Sequence, residues 1–348
     1  MSVSINMGSG CNFRCKYCFE VKNGAVNHPK SLTAKTKERT IEVLHLLQEL
    51  HDLRIEFWGG EPSVYFKDIK EIIDEFTPYE NVSFFMYTNG SLVSQYADEL
   101  LEIHKNVGHR FEVQVSYDYQ NLSNNQRLQL NKTVEETDEM VRDAIKFFDR
   151  NGFKFGTKTT CTMKDLEENI YDMYLNYEQL NSELKHKVPF VCTPDTLGSG
   201  SIDYEKMHEQ FVKLIRYFLK NKKFKQTGFL WFDQNGNKDC MGGANSFQID
   251  IDGRVTYCHG CLYMNDKMFY TNIFEDNFLH KIDHNYLVAN SKFTKPEQCL
   301  NCNSQFCFRC NAINSKGNPD NWDKPNSPEV CKLYRKISEY IEAYLRMK

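Results

Sequence analysis

The segment Gly10-Cys11-Asn12-Phe13-Arg14-Cys15-Lys16-Tyr17-Cys18 places three thiols within eight positions, directly after a short apolar run from Val3 to Met7. Three clustered thiolates can hold three irons of a 4Fe–4S cube and leave the fourth iron open. An open iron is what a redox cluster needs if it is to bind a second molecule directly. Zinc is the weaker match, because structural zinc sites complete four ligands, usually with a second pair.

Such a loop needs a scaffold, and strand and helix patterns alternate through the first two-thirds of the chain. The predicted strands are Val3–Met7, Leu53–Trp58, Val82–Thr88, Phe111–Tyr117, Phe153–Thr162 and Val188–Cys192. The helical stretches between them are Thr33–Leu50, Tyr65–Phe76, Leu92–His104, Val134–Arg150, Leu166–Leu180 and Tyr204–Leu219. Val141, Ala144, Ile145 and Phe148 carry the helical spacing cleanly. Repeated strand-then-helix units predict an α/β fold with a parallel sheet and with active groups where strand ends run into loops. Six units predict a partial (β/α)6 barrel of the TIM type rather than a closed one. After about residue 225 helical periodicity fades, and Gly, Asn and Cys become dense through 228–245 and 297–318. The expected division is therefore a barrel over residues 1–225 and a metal-stapled module over 226–348, closed by a helix at Glu329–Arg346.

A net charge of −4 over 348 residues, with both signs interspersed, supplies no basic stripe for nucleic acid and no polybasic membrane patch. The first residues lack the regions of a secretory signal, and no apolar run reaches membrane-span length. A cytoplasmic protein with no nucleic-acid or membrane partner is expected. Its 13 cysteines are then expected to ligate metal rather than to form a disulfide framework. Cys161 and Cys192, each alone in an apparent strand, are expected to be small buried hydrophobes.

The C-x3-C-x2-C spacing with an aromatic before the last Cys resembles the radical S-adenosylmethionine superfamily. That resemblance implies Cys11, Cys15 and Cys18 as ligands of a 4Fe–4S cluster and Tyr17 as the aromatic whose backbone meets the adenine. Gly59-Gly60-Glu61-Pro62, at the end of the second strand, resembles the segment that receives the methionine ammonium. Glycines permit close backbone approach, and a desolvated ammonium needs an acceptor such as Glu61. Thr88, Asn89, Ser116 and Asp118, at the ends of the third and fourth strands, resemble positions that meet the ribose and the methionine carboxylate. Arg127 lies where related enzymes carry an Arg in the following loop. On spacing alone, Asn89-Gly90 is equally a common turn, and Arg127 equally a solvated side chain. The implied chemistry is one-electron cleavage of the sulfonium, giving a 5′-deoxyadenosyl radical that abstracts hydrogen from a substrate. A flavodoxin- or ferredoxin-type protein is the implied electron donor.

The later cysteines resemble the SPASM extension, which carries two auxiliary 4Fe–4S clusters. The resemblance implies Cys299, Cys302, Cys307 and Cys331 as ligands of the outer cluster, and Cys240, Cys258 and Cys310 of the inner one. The spacings inside the middle run, four and two, are shorter than the commoner five and three. Residues Asp233–Asp239 hold no cysteine, so Cys261 is expected as the fourth inner ligand; the alternative leaves that iron open. Read alone, the paired C-x2-C run equally suits two zinc ribbons. Where related sulfatase maturases carry an Asp, this chain has His259, either a proton acceptor or a residue bonded to a backbone carbonyl. Trp231, Phe232 and Tyr257 are expected in the core rather than lining a cavity.

The leading expectation is an oxidoreductase of the peptide-maturase kind, making ribosomally synthesised, post-translationally modified peptides by oxidising or crosslinking side chains. The alternative is a sugar or aminocyclitol dehydrogenase or epimerase, with Cys161, Cys192 or Cys261 as hydrogen donors; a non-enzymatic iron–sulfur or zinc module is the third. Because the first strand starts almost at Met1, a peptide substrate is expected to need a separate leader-recognition protein, a leaderless interaction or the grooves of the extension.

Overall fold

The computed structural model describes residues 1–195, 201–221, 246–262, 264–283, 297–302, 304, 307, 310, 314–316, 318 and 324–347. Its strands are β1 Ser2–Asn6, β2 Leu53–Trp58, β3 Val82–Thr88, β4 Phe111–Ser116, β5 Lys154–Cys161, β6 Cys192–Pro194, β7 Ser246–Ile249, β8 Arg254–Thr256 and β9 Phe269–Asn272. Its helices are α1 Phe19–Lys22, α2 Ala34–Leu50, α3 Phe66–Phe76, α4 Ala97–Val107, α5 Val134–Arg150, α6 Met163–Glu168, α7 Ile170–Glu183, α8 Tyr204–Asn221, α9 Glu297–Leu300 and α10 Pro328–Arg346.

Side-chain alternation gives the strands two unlike faces. Val3, Ile5, Ile55, Phe57, Phe84, Met86, Val113 and Val115 point one way and are essentially fully buried beneath the helices. Each such side chain contributes roughly 1.5–3 kcal/mol by leaving water. Ser4, Glu56, Phe85, Glu112 and Lys154 stand opposite one another across five parallel strands and share the other, inner face. The polar inner face makes this sheet the wall of a cavity rather than of a packed barrel core.

Nine strands form one sheet in the order β6-β5-β4-β3-β2-β1-β7-β8-β9. The first six run parallel in consecutive order, each followed by a helix, as the α/β expectation requires. β7 then pairs with the free side of β1 in parallel, and β8 and β9 add antiparallel. The sheet thus runs on past residue 226. The expected boundary itself falls outside the described residues, as do Trp231, Phe232, Cys240 and the stretch Asp233–Asp239.

Helix starts follow local capping chemistry. The Thr33 side chain accepts from Thr36 N, and Thr133 with Glu136 forms a reciprocal capping box. A second box, Thr162 with Asp165, starts α6 earlier than the expected helix at 166, and Asn169 then separates α6 from α7. β6 lies further along the chain than predicted. With Thr159 opposite Cys192, the Cys161 and Cys192 Cα atoms come 6.4 Å apart, and the two form a disulfide. This corrects the expectation of two separate thiols and removes both as free hydrogen donors. Cys161 also lies on the face of Thr157, whose hydroxyl bonds the Tyr119 hydroxyl in the helix-covered core.

Candidate functional site

Backbone pairing shapes the thiol loop. Arg14 N donates to Leu128 O, Lys16 N to Gln126 O and Leu130 N to Asn12 O, so residues 12–16 lie antiparallel to 126–130. On its other side, Gly60 N donates to Gly8 O and Glu61 N to Gly10 O. Such closeness needs glycine: a Cβ on Gly60 would meet Gly10 O at 2.4 Å, and one on Gly59, at φ +140°, would meet Gly8 O at 2.3 Å. Pro62 opens a short turn behind them, and the Tyr65 hydroxyl accepts from Gly10 N at 2.8 Å. Cys18 caps α1.

The three thiols sense one another. Burial, then the Glu61 charge, push Cys11 up to about 12, with Cys15 and Cys18 adding to the rise. Burial pushes Cys15 up to about 11 and Cys18 in the same direction. A thiolate is therefore costly in this loop without a cation to bind it, the expected state of a metal-ligand set before loading. Among the described residues, no three His, Cys, Asp or Glu side chains have closed into metal-binding geometry.

Beside the thiols lies a buried charged chain. Tyr17 Oη donates to Asp118 Oδ2 at 2.5 Å, and Arg127 Nη1 donates to Tyr17 Oη at 2.7 Å. Asp118 Oδ1 also accepts from Thr160 N at 2.9 Å. Desolvation raises the Asp118 pKa, which Arg127 and Tyr17 partly offset. Arg127 is thus part of the site and not a solvated side chain, brought there by the pairing of 126–130 with the thiol loop.

Glu61 is buried, and both of its oxygens are engaged. Its Oε1 accepts from Ser63 N at 3.1 Å, Ser63 Oγ at 2.5 Å and Thr88 Oγ1 at 2.7 Å, and its Oε2 accepts from Asn89 N at 2.6 Å. Oε1 takes three of these bonds and Oε2 one, which leaves Oε2 an open acceptor position. Glu61 therefore ties the end of β2 to the end of β3. Asn89 extends the tie, donating through Nδ2 to Asn12 Oδ1 at 2.9 Å, while Asn12 Nδ2 donates to Ser91 Oγ at 2.8 Å. Asn12, Ser63, Tyr65 and Ser91 were missed by the sequence reading. Each lies within or just beyond a recognised motif, which was the available signal. Ser116 ends β4 opposite Lys158.

Two further groups of thiols assemble. Cys258 Sγ and Cys261 Sγ are 3.8 Å apart, and Cys258, Cys310 and Met264 pack on Cys261 and Met268. Cys307 is pushed up to about 12 by burial, then by Cys331, Cys299 and Cys302, so these four are neighbours. Asn326 touches both Cys307 Sγ and Cys331 Sγ. Tyr257 packs against Tyr270. The His259 ring lies 5.2 Å from that of Trp58. The surrounding protein desolvates it, and with the Lys158 charge holds its pKa down to about 4.

A loop of three coupled thiols, clamped between strand-end turns of a parallel half-barrel, defines the radical S-adenosylmethionine class. The chain carries such a domain: residues 5–174 match the family model of the Radical SAM superfamily. It is 20% identical over 332 residues to the radical SAM cyclopropyl synthase TigE of Paramaledivibacter caminithermalis, covering 86% of this chain and 65% of that protein. This chain therefore spans less than two thirds of that relative. The structure of native anSMEcpe with bound AdoMet and Cp18Cys peptide superposes with a TM-score of 0.69 at 19% identity, covering 100% of this chain and 99% of that one. Streptococcus suis SuiB bound to S-adenosylmethionine gives a TM-score of 0.64 at 16% identity, covering 95% of this chain and 77% of that one. These likenesses establish the fold. Among the described residues, no helix is long and apolar enough to cross a membrane.

Proposed function

We propose that this protein is a radical S-adenosylmethionine oxidoreductase that oxidises or crosslinks side chains of a peptide or protein. The carrying observation is the thiol loop, held by Gly59-Gly60 on one side and by Arg127 on the other. The donor set fits a site-differentiated 4Fe–4S cluster, with Cys11, Cys15 and Cys18 as its ligands. When bound, that cluster and S-adenosylmethionine supply one-electron carbon–sulfur cleavage and hydrogen-atom abstraction.

The chain's own residues do the rest. The open acceptor position on Glu61 Oε2 and the Gly59 and Gly60 backbone remain at the β2 end to meet an ammonium. Asp118, Tyr17 and Arg127 form a rigid polar wall, and Ser116 presents a hydroxyl beside it. His259, beside Cys258 and against the Trp58 ring, is the candidate proton acceptor for a substrate side chain. Cys299, Cys302, Cys307 and Cys331 are assigned to one auxiliary cluster, and Cys258, Cys261, Cys310 and Cys240 to the other. The peptide reading draws support from the fold shared with anSMEcpe, whose structure holds a peptide. A flavodoxin- or ferredoxin-type donor and a cytoplasmic location belong to the same reading, and so does a separate leader-recognition protein.

Anaerobic reconstitution, reduction and addition of S-adenosylmethionine should release 5′-deoxyadenosine, and Cys15→Ala should abolish it. Electron paramagnetic resonance of the reduced wild type should change on adding S-adenosylmethionine. An unchanged spectrum with iron present, and no 5′-deoxyadenosine, defeats the proposal.

A further inference from the structure

The inner face of the sheet has a charge imbalance. Glu56 accepts from Ser2 Oγ at 2.8 Å, Ser4 Oγ at 3.0 Å, Arg54 Nε at 3.3 Å and Tyr87 Oη at 3.4 Å. Glu112 is held by Arg54 at 3.3 Å and Lys154 at 3.1 Å. Register places all of these on one face, together with Lys158, which stands opposite Ser116 two steps beyond Gly156 on β5. Three cations, Arg54, Lys154 and Lys158, thus face two carboxylates, and among the described residues the Lys158 ammonium makes no ion pair or hydrogen bond. Nothing local explains this ammonium, and burial lowers its pKa with no opposing charge to restore it.

A second donor beside it also lacks an acceptor. Trp58 is 7% exposed, and its indole Nε1 has no hydrogen-bond partner. Its ring packs against His259, on which Lys158 and Glu56 both act electrostatically, so Trp58 and Lys158 border the same space. A buried N–H without a partner is costly, and so is an ammonium partly withdrawn from water without one. Both costs are relieved by one kind of guest, an anion with two acceptor oxygens.

We propose that Lys158 and the Trp58 indole N–H form a carboxylate-binding subsite that selects an acidic side chain or a chain-terminal carboxylate of the peptide substrate. This rests on the peptide reading of the previous section. It makes Lys158 a specificity determinant rather than a residue of the radical step, and it requires that the substrate present a carboxylate near the modified position.

The test reads Lys158 directly. Wild-type protein with reconstituted clusters and S-adenosylmethionine is labelled anaerobically with an amine-acetylating reagent, and modification of Lys158 is followed by mass spectrometry. The probes are nonapeptide libraries with a central Glu or Gln and flanks randomised without Asp or Glu, each with a free or an amidated carboxyl end. The amidated Glu library should slow Lys158 acetylation at least tenfold more than the amidated Gln library. Protection by the free-acid Gln library instead would assign the subsite to a chain terminus and also supports it. Trp58→Phe, which deletes only the N–H, should reduce the discrimination several-fold, and Lys158→Glu should transfer preference to a Lys-centred library. Equal protection by all four libraries overturns the subsite, and so does full protection by S-adenosylmethionine alone. Should Lys158→Glu fail to fold, the wild-type arms still decide. 5′-Deoxyadenosine measured in the same wild-type samples separates failure of the subsite, where it forms, from failure of the reaction class, where it does not.

Discussion

The Tyr17 hydroxyl donates to Asp118 and accepts from Arg127, so deleting one oxygen separates a buried carboxylate from its guanidinium bridge. Hydrogen bonds to charged groups are worth about 1.5–3 kcal/mol, or roughly tenfold and upward in affinity. Tyr17→Phe should therefore keep its fold and iron while binding S-adenosylmethionine at least about tenfold more weakly, as measured by equilibrium dialysis; unchanged affinity would remove the triad from the cosubstrate site. How far each residue could be read from sequence follows from how local its role is. The three thiols stand out because their spacing is set by one loop. Arg127 does not, because its place depends on pairing between segments more than a hundred residues apart. Glu61 was recognisable as part of a motif, but its bonding to Ser63, Thr88 and Asn89 depends on where β3 ends. Cys161 and Cys192 misled because a shift in one strand's start decides whether they meet.

Strand ends and helix ends carry the next level of consequence. The turn after β2 is pressed onto the thiol loop, so Gly60→Ala cannot be absorbed by a side-chain rearrangement: its Cβ meets backbone oxygen. That variant should lose iron from the N-terminal site and melt at a lower temperature, whereas Gly152→Ala, at φ +72° but with open space around it, should only lower the melting temperature. At the far end of α5, Asp149 accepts from Lys185 N at 2.8 Å and His186 N at 2.9 Å. Burial alone would raise its pKa, but these bonds and the His186 ring carry it below the usual 3.8. A lowered folded-state value means that the unfolded chain binds the proton more readily. The stabilisation is therefore complete above about pH 4 and drains away as pH falls through the folded value. Asp149→Ala should cost on the order of 2 kcal/mol at pH 7 and progressively less as pH falls below about 4, as measured by denaturant titration. At this scale the sequence was informative where a helix carries a clean apolar stripe: α5 was predicted to the residue from Val141, Ala144, Ile145 and Phe148, and the Thr133–Glu136 capping box fixes its start. β7 to β9 were not anticipated, since their short strands draw their stability from the edge of β1 rather than from a pattern of their own.

Across the whole molecule, thiols gather in three places along one chain, and the iron count tests the assignment. Three cubes correspond to about twelve irons. Cys302→Ala and Cys258→Ala should each bring the reconstituted protein toward about eight, while leaving the response of the N-terminal cluster to S-adenosylmethionine in the resonance spectrum. A value that stays near twelve in either variant would contradict the ligand grouping.

β1 is flanked on one side by β2 and on the other by β7, and Asn6 Nδ2 bonds Asp250 Oδ1 at 2.8 Å across a sequence separation of 244. A ribosome releasing this chain therefore exposes an unfinished sheet margin on β1 until the residues around Asp250 have emerged. Contacts of such long span form slowly, and a bare strand margin invites association with other nascent chains in the interim. Synthesis speed and chaperone supply, more than final stability, should then govern the soluble yield of this protein in a foreign host.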